Sequence, residues 1–197
     1  MLRLLLVERP SSSRPIQAIS RHSCSACRAR RASSRSHAAS CLPLAIFASS
    51  GKRFGGVDLV DTSILLKRYV DDQDSAAAIA LTQGYELVTS AFTEVELRSA
   101  LHAARRRRVL TTRQVHAVLQ RIAEERDWWL LVTVSANVLR RAEEIVEAQP
   151  LRAADAVHCA SALVLQEALG NPLYFATADR EQGRCALALG LPTAPLA

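Results

Sequence analysis

Four carboxylates stand where a carboxylate is either costly or well placed to act. Asp61 closes the mostly apolar run Val57-Asp-Leu-Val60. In parallel α/β sheets, ligands collect beyond the carboxyl ends of the strands, so an acid there faces the usual crevice. An aspartate at that point is equally a ready N-cap for the next helix, and position alone favours neither role. Asp179 repeats the arrangement after Leu173-Tyr-Phe-Ala-Thr177. Two strand-end acids share one crevice if their strands are neighbours. Asp155 lies in Leu151–Gln166, a segment apolar nearly all round apart from Arg152, His158, Ser161 and Gln166. That pattern predicts a buried helix. An isolated carboxylate there is expensive unless it is paired or metal-bound. Arg152 and His158 can pair with it from the same helical face, but metal ligation is the more economical account. The fourth acid comes from Thr93-Glu94-Val-Glu96-Leu-Arg. Glu94 and Glu96 are two apart, so on a helix they point in different directions. Thr93 and Glu96 also fit a capping box. The residue pattern leaves open which glutamate faces the crevice.

Scattered acids without a histidine or cysteine cluster suit a hard cation, Mg²⁺ or Mn²⁺. Such centres commonly serve phosphate chemistry, in which two ions roughly 4 Å apart ionise a water and steady the leaving oxygen. Other chemistries are not signalled. Asp58 and Asp61 are three apart, not the two that a strand-end Asp-x-Asp phosphatase needs. The chain has no glycine-rich dinucleotide or P-loop motif and no nucleophile elbow.

The elements that must position these acids can be read from periodicity and punctuation. Strands are expected at 57–61, 85–89, 128–134 and 173–177, with a weaker one near 191–194. Helices are expected at 63–70, 75–83, 92–108, 111–127, 136–148, 153–169 and 180–189, several opened by a Ser, Thr or Asp and stopped by Gly84, Pro150, Gly170 or Gly190. Strands alternating with helices predict an α/β domain with a mainly parallel sheet.

The ordered set Val-Asp61-Thr-Ser-Ile-Leu, Thr-Glu-Val-Glu96-Leu-Arg-Ser-Ala-Leu, Leu-Arg-Ala-Ala-Asp155-Ala-Val-His-Cys-Ala and Ala-Thr177-Ala-Asp179-Arg-Glu-Gln resembles the PIN-domain ribonucleases. It is most similar to the VapC-type toxins of bacterial toxin–antitoxin pairs. The resemblance covers about Val57 to Pro195. It implies a three-layer PIN-like fold and a metal-dependent endoribonuclease. Asp61, Glu96, Asp155 and Asp179 would form the pocket for Mg²⁺ or Mn²⁺, with Thr177 in support. Glu96 matches the motif's glutamate better than Glu94 does. The resemblance further implies a homodimer and a cognate antitoxin that covers the site. A non-catalytic PIN-like module that binds RNA or a partner is the alternative. A metal phosphohydrolase acting on small esters is a further rival.

Charge divides the chain. The 197 residues carry a net +6, with 49% hydrophobic and 22% charged residues. Residues 1–56 hold ten basic residues and one acid, Glu8, for +9, so residues 57–197 sum to −3. The basic character that suggests nucleic-acid binding therefore belongs to the first quarter, which also holds 12 of the 18 serines. Residues 1–56 are expected to be a basic Ser/Arg-rich extension, disordered or not native, ahead of a nuclease domain at 57–197. A transit peptide fits its composition; a secretory signal fits poorly, because Leu4–Val7 is short. A tail-led nucleic-acid binder is a further possibility. Cys24, Cys27 and Cys41 with His22 and His37 match no standard zinc spacing. Cys159 and Cys185 read as small buried hydrophobes. With no disulfide framework and no apolar run long enough to span a membrane, a cytoplasmic protein is expected. The run Arg105, Arg106, Arg107 and Arg108 ends a helix, as a solvated turn or as an RNA-backbone contact. Trp128-Trp129 reads as core or dimer surface ahead of base stacking.

Overall fold

The computed structural model describes residues 7–8, 59–83 and 87–194. Strand β1 is Val7–Glu8 and β2 is Leu59–Val60; α1 (Thr62–Tyr69) and α2 (Ser75–Thr82) follow. Next come β3 (Leu87–Ser90), α3 (Thr93–Arg106), α4 (Thr112–Glu125), a 3₁₀ turn (Arg126–Trp128) and β4 (Trp129–Val132). Then come α5 (Ala136–Ala148), α6 (Ala153–Leu169), β5 (Phe175–Ala176), α7 (Arg180–Ala188) and β6 (Thr193–Ala194), the last of the described elements. The cysteines and histidines of the extension and the boundary at Gly55–Gly56 lie outside the described residues.

The helices begin where side chains can satisfy free N–H groups. Asp61, Thr111, Ser135 and Asp179 each accept from the first turn of α1, α4, α5 and α7, and Thr111 forms a full capping box with Gln114. Gly170 ends α6 at φ 64°, a left-handed conformation that a side chain would strain. The box expected from Thr93 and Glu96 does not form. Phe92 is the N-cap of α3, without a side-chain cap, and the Thr93 hydroxyl lies 2.7 Å from that of Thr89. Glu96 is drawn into tertiary contacts instead.

The far end of α3 comes two residues earlier than the arginine run suggested. Arg105 and Arg106 are its last helical residues, and Arg107 is the C-cap, its amide donating to the Ala103 carbonyl at 3.0 Å. Arg108 turns the chain at φ 60°, the left-handed conformation that commonly stops a helix. The tryptophan pair also divides. The turn closing α4 takes up Trp128, which is 63% exposed, and only Trp129, at 2%, joins the strand and the core.

β2 and β5 pair in parallel, as do β5 and β6, and β3 and β4; β1 runs antiparallel along the outer side of β4. The Thr89 hydroxyl donates to the Val60 carbonyl at 2.7 Å and sets β3 beside β2. The strands pair as two three-stranded sets, β1-β4-β3 and β2-β5-β6, which this side-chain bond sets edge to edge in the order β1-β4-β3-β2-β5-β6. Alternate residues of each strand face opposite sides, as the pleat requires. Leu59, Val88, Leu130 and Phe175 join a core with α5, α6 and α7, while Val60, Leu87, Trp129 and Ala176 join a second core with α1 to α4. The sheet is thus the middle of three layers, as expected. Among the described residues no helix is long and apolar enough to cross a membrane.

Candidate active site

The chain runs from β2 to β3 to β4 on one side, then returns to β5 on the other side of β2. Strand order reverses between β2 and β5, the place where α/β sheets open a crevice at their carboxyl ends. Asp61 and Thr177 leave the sheet there side by side, and the Asp61 amide donates to the Ala176 carbonyl at 2.8 Å. Asp61 is 5% exposed. Its Oδ2 accepts from the Ser63 amide at 2.9 Å and lies 3.5 Å from the Thr177 hydroxyl, and its Oδ1 accepts from the Gln182 amide at 3.3 Å. Asp61 therefore caps α1 from the carboxyl end of β2, beside Thr177.

Asp179 has the same double position. Its Oδ1 accepts from the amides of Glu181 and Gln182 at 2.8 and 3.1 Å while the residue stays exposed at the crevice mouth. Thr177 links the two strand ends. Its hydroxyl donates to Gln182 Oε1 at 2.5 Å, accepts from the Asp179 amide at 3.0 Å and lies 3.3 Å from the Ser63 hydroxyl.

The two glutamates separate as their spacing requires. Glu94 pairs with Arg126 at 2.6 Å. Glu96 turns inward, where its Oε2 accepts from the Thr62 hydroxyl at 2.6 Å and from His158 Nε2 at 2.5 Å. Burial pushes the Glu96 carboxyl up, but the hydrogen bonds from His158 and Thr62 outweigh it and hold the group below the ordinary carboxylate range. His158 is fully buried, and its Nδ1 has no hydrogen-bond partner but lies 3.7 Å from Asp61 Oδ1. Burial disfavours its charge, yet Glu96 and then Asp61 raise its pKa above the usual imidazole value. His158 thus pairs with Glu96 and faces Asp61, not Asp155 as its spacing suggested.

Asp155 sits in the first turn of α6, half-buried. Burial raises its pKa first, then the charges of Asp61, Asp179 and Glu96 raise it further, with Arg152 opposing. The four acids from four segments thus share one electrostatic field. Gln182 and Ser63 escaped sequence reading. Gln182 lies in an ordinary helical stretch, and Ser63 read only as a cap. Cys159, just behind the site, is a buried free thiol pushed up to about 12 by burial and then by Asp61 and Asp155.

The arginine run is not part of this cluster. Arg105, Arg106, Arg107 and Arg108 are all exposed, at the far end of α3 and in the turn beyond it. At the rise of a helix, Arg105 is about 13 Å along the axis from Glu96, and Arg106 and Arg107 are farther. None of the four touches an acid of the crevice.

The donor set fits a hard divalent cation, because the converging side chains are carboxylates and their mutual repulsion leaves Asp155 short of positive charge. Among the described residues no three His, Cys, Asp or Glu side chains form a ready-made metal cage. Mg²⁺ does not need one, since it keeps several waters and commonly takes one or two carboxylates plus substrate phosphates.

A sequence model of the family described as PIN domain matches residues 59–186, a span that includes all four acids. The chain belongs to the PIN-domain family. Ribonuclease VapC45 of Mycobacterium tuberculosis (strain CDC 1551 / Oshkosh) and ribonuclease VapC49 of M. tuberculosis (strain ATCC 25618 / H37Rv) are each 36% identical to this PIN domain protein over 143 residues. The match covers 68% of the chain and 92% of either relative, and it groups the chain with the VapC ribonucleases. Two solved structures share the fold. The FitAcB structure from Neisseria gonorrhoeae aligns with a TM-score of 0.51 at 17% identity, covering 68% of this chain and 94% of that one. The structure of VapBC2 from Rickettsia felis, bound to a DNA fragment from their promoter, gives 0.50 at 12%, covering 71% and 98%. The PIN-like three-layer fold expected from the motifs is therefore the fold of this chain.

Proposed function

We propose that this PIN domain is a Mg²⁺- or Mn²⁺-dependent endoribonuclease, the toxin of a toxin–antitoxin pair. The observation that carries the reading is the meeting of Asp61, Glu96, Asp155 and Asp179 at the reversal between β2 and β5. Asp61, Asp155, Glu96 and Asp179 would hold the cation. A bound cation would supply the charge that makes a water nucleophilic and steadies the leaving oxygen of the phosphodiester. The chain's own residues supply the geometry. His158 and Thr62 fix Glu96, Gln182 and Ser63 fix Asp61, and Thr177 ties β5 to α1 and α7. Arg105, Arg106, Arg107 and Arg108 contact RNA at a distance from the cleaved bond. The protein acts in the cytoplasm as a homodimer, and a cognate antitoxin covers the crevice. Residues 1–56 are an extension that catalysis does not use.

Cleavage of a labelled RNA by the purified protein, with and without Mg²⁺ or Mn²⁺, tests the reading. Activity is expected only with the ion, and Asp61→Asn and Asp155→Asn should each abolish it. Metal-dependent cleavage undiminished in those variants would remove the assignment. Binding of RNA without cleavage under any ion would leave a non-catalytic module.

A further inference from the structure

A cleft of about 800 Å³ opens beside Asp179 and is lined by Thr177, Asp179, Arg180, Arg184, Leu187 and Thr193 among others. Arg180, Arg184 and Leu187 are at i, i+4 and i+7 on α7, so they form one stripe along the cleft wall. All three are exposed, Leu187 by 56%. Among the described residues the side chains of Arg180 and Arg184 have neither an ion pair nor a hydrogen bond. Arg68 and Arg121 are engaged with Glu125, Arg126 with Glu94, and Arg140 and Arg141 with Glu144, and of the unpaired arginines Arg180 and Arg184 are the two that line this cleft. Across the cleft, Asp74 also lines the wall and shares Lys67 with Asp72, at 2.7 and 2.9 Å, so that side of the cleft keeps part of its negative charge and the positive charge lies on the α7 wall. The cleft therefore holds two unspent guanidinium groups, starting one residue after an acid of the candidate active site.

We propose that this cleft is a backbone subsite for single-stranded RNA, in which Arg180 and Arg184 take the phosphates that flank the cleaved one. The inference rests on the nuclease reading of the neighbouring acids. Arginine presents a planar fork of donors that matches a phosphate, and phosphate contacts set register without reading sequence. Leu187, at the end of the stripe, gives an apolar surface for a ribose or base. Continuity favours RNA over an acidic protein segment. A strand with one phosphodiester at Asp179 and Thr177 has its next phosphates in reach of the stripe, whereas a carboxylate peptide gains nothing from running up to four acids.

Fluorescence anisotropy of a labelled single-stranded RNA oligonucleotide with non-hydrolysable linkages, in Mg²⁺ over a range of salt, measures binding without turnover. The double variant Arg180→Ala/Arg184→Ala of the full chain is expected to bind about tenfold more weakly. Its log-affinity against log-salt slope should fall by about 1.4, at about 0.7 per lost phosphate contact on a single strand. Arg180→Lys/Arg184→Lys should keep most of the slope, because the positive charges remain. Wild-type affinity and slope in the alanine variant would overturn the subsite and leave the arginines to a protein partner. No salt-dependent binding by the unaltered chain would overturn it as well. A parallel arm with hydrolysable linkages reads cleavage. If the unaltered chain binds with the expected slope but does not cut, the nuclease reading fails while the subsite stands.

Discussion

Gln182, without solvent exposure, donates its side-chain amide to Oδ1 of Asp61 at 3.3 Å while its carbonyl receives the Thr177 hydroxyl at 2.5 Å. One amide on α7 therefore sets the orientation of an acid at the end of β2, 121 residues away in sequence. A carboxylate held this way has one rotamer to offer a ligand.

Gln182→Leu roughly keeps the volume and removes these two bonds together with a third, from the same amide to the Asp155 carbonyl at 3.4 Å. Loss of such an outer partner typically costs 10–100-fold in metal affinity or activity. Cleavage titrated with Mn²⁺ should show a fall of about that size, most of it recovered at high metal. Gln182→Glu should do worse, because it adds a like charge beside Asp61. Wild-type metal dependence in Gln182→Leu would show that Asp61 needs no such support.

Asp155→Asn should separate stability from activity. Burial and three neighbouring acids disfavour the Asp155 charge, so neutralising it relieves the folded state at neutral pH. Metal-free Asp155→Asn should melt a few degrees above the unaltered chain, roughly the effect of 1 kcal/mol in a domain of this size, while cleavage is lost. A lower melting temperature would contradict the repulsion.

Glu125 predicts an acid-side loss of stability. Burial pushes its carboxyl up, but hydrogen bonds from Arg121, Arg68 and Tyr69 prevail and hold it below the ordinary range. A carboxyl depressed on folding stabilises the protein above its unfolded pKa, and that stabilisation fades as pH falls through the folded one. Thermal melts from pH 6 down to pH 3 should show the gap between the unaltered chain and Glu125→Gln closing below about 4.3, the unperturbed glutamate value. A gap independent of pH would assign the effect to packing.

Deleting residues 1–56 should leave metal-dependent cleavage intact, because all four acids and their partners lie beyond it. The deletion also removes the two-residue pairing of Val7–Glu8 with Leu131 and Val132. Turnover of a labelled RNA by both forms checks this. Loss of turnover in a folded truncated protein would give the extension a catalytic role.

The architecture was legible where the signals are local. Caps at Ser135 and Asp179, the stop at Gly170 and the apolar length of α6 place helices from a few neighbouring residues. The end of α3 was harder to place, because Arg107 and Arg108 continue a run of good helix formers and only the backbone turn at Arg108 ends it. Two-residue strands such as β5 carry less periodicity, yet Phe175 and Ala176 still divide between the two cores. The acids were legible as candidates, because a carboxylate in an apolar segment stands out. Their partners were not. His158 reaches Glu96 over 62 residues, and nothing near His158 in sequence indicates that it turns from Asp155 to Glu96. Thr93 with Glu96 made a plausible local box, but a buried histidine and a threonine on another helix compete for the same carboxylate and win.

The seam between β2 and β5 also sets when in the life of the chain the pocket comes into being. Its first wall, Asp61, is made well before Asp179 and Gln182, which follow it by 118 and 121 residues. During synthesis the first-made segments can begin to fold ahead of the rest, so β2, β3 and β4 can assemble before β5 exists. A polypeptide still under construction therefore holds Asp61 without its opposite wall. On the nuclease reading, the chain becomes dangerous to RNA only once α7 has been made, and any fragment that stops short of α7 is harmless.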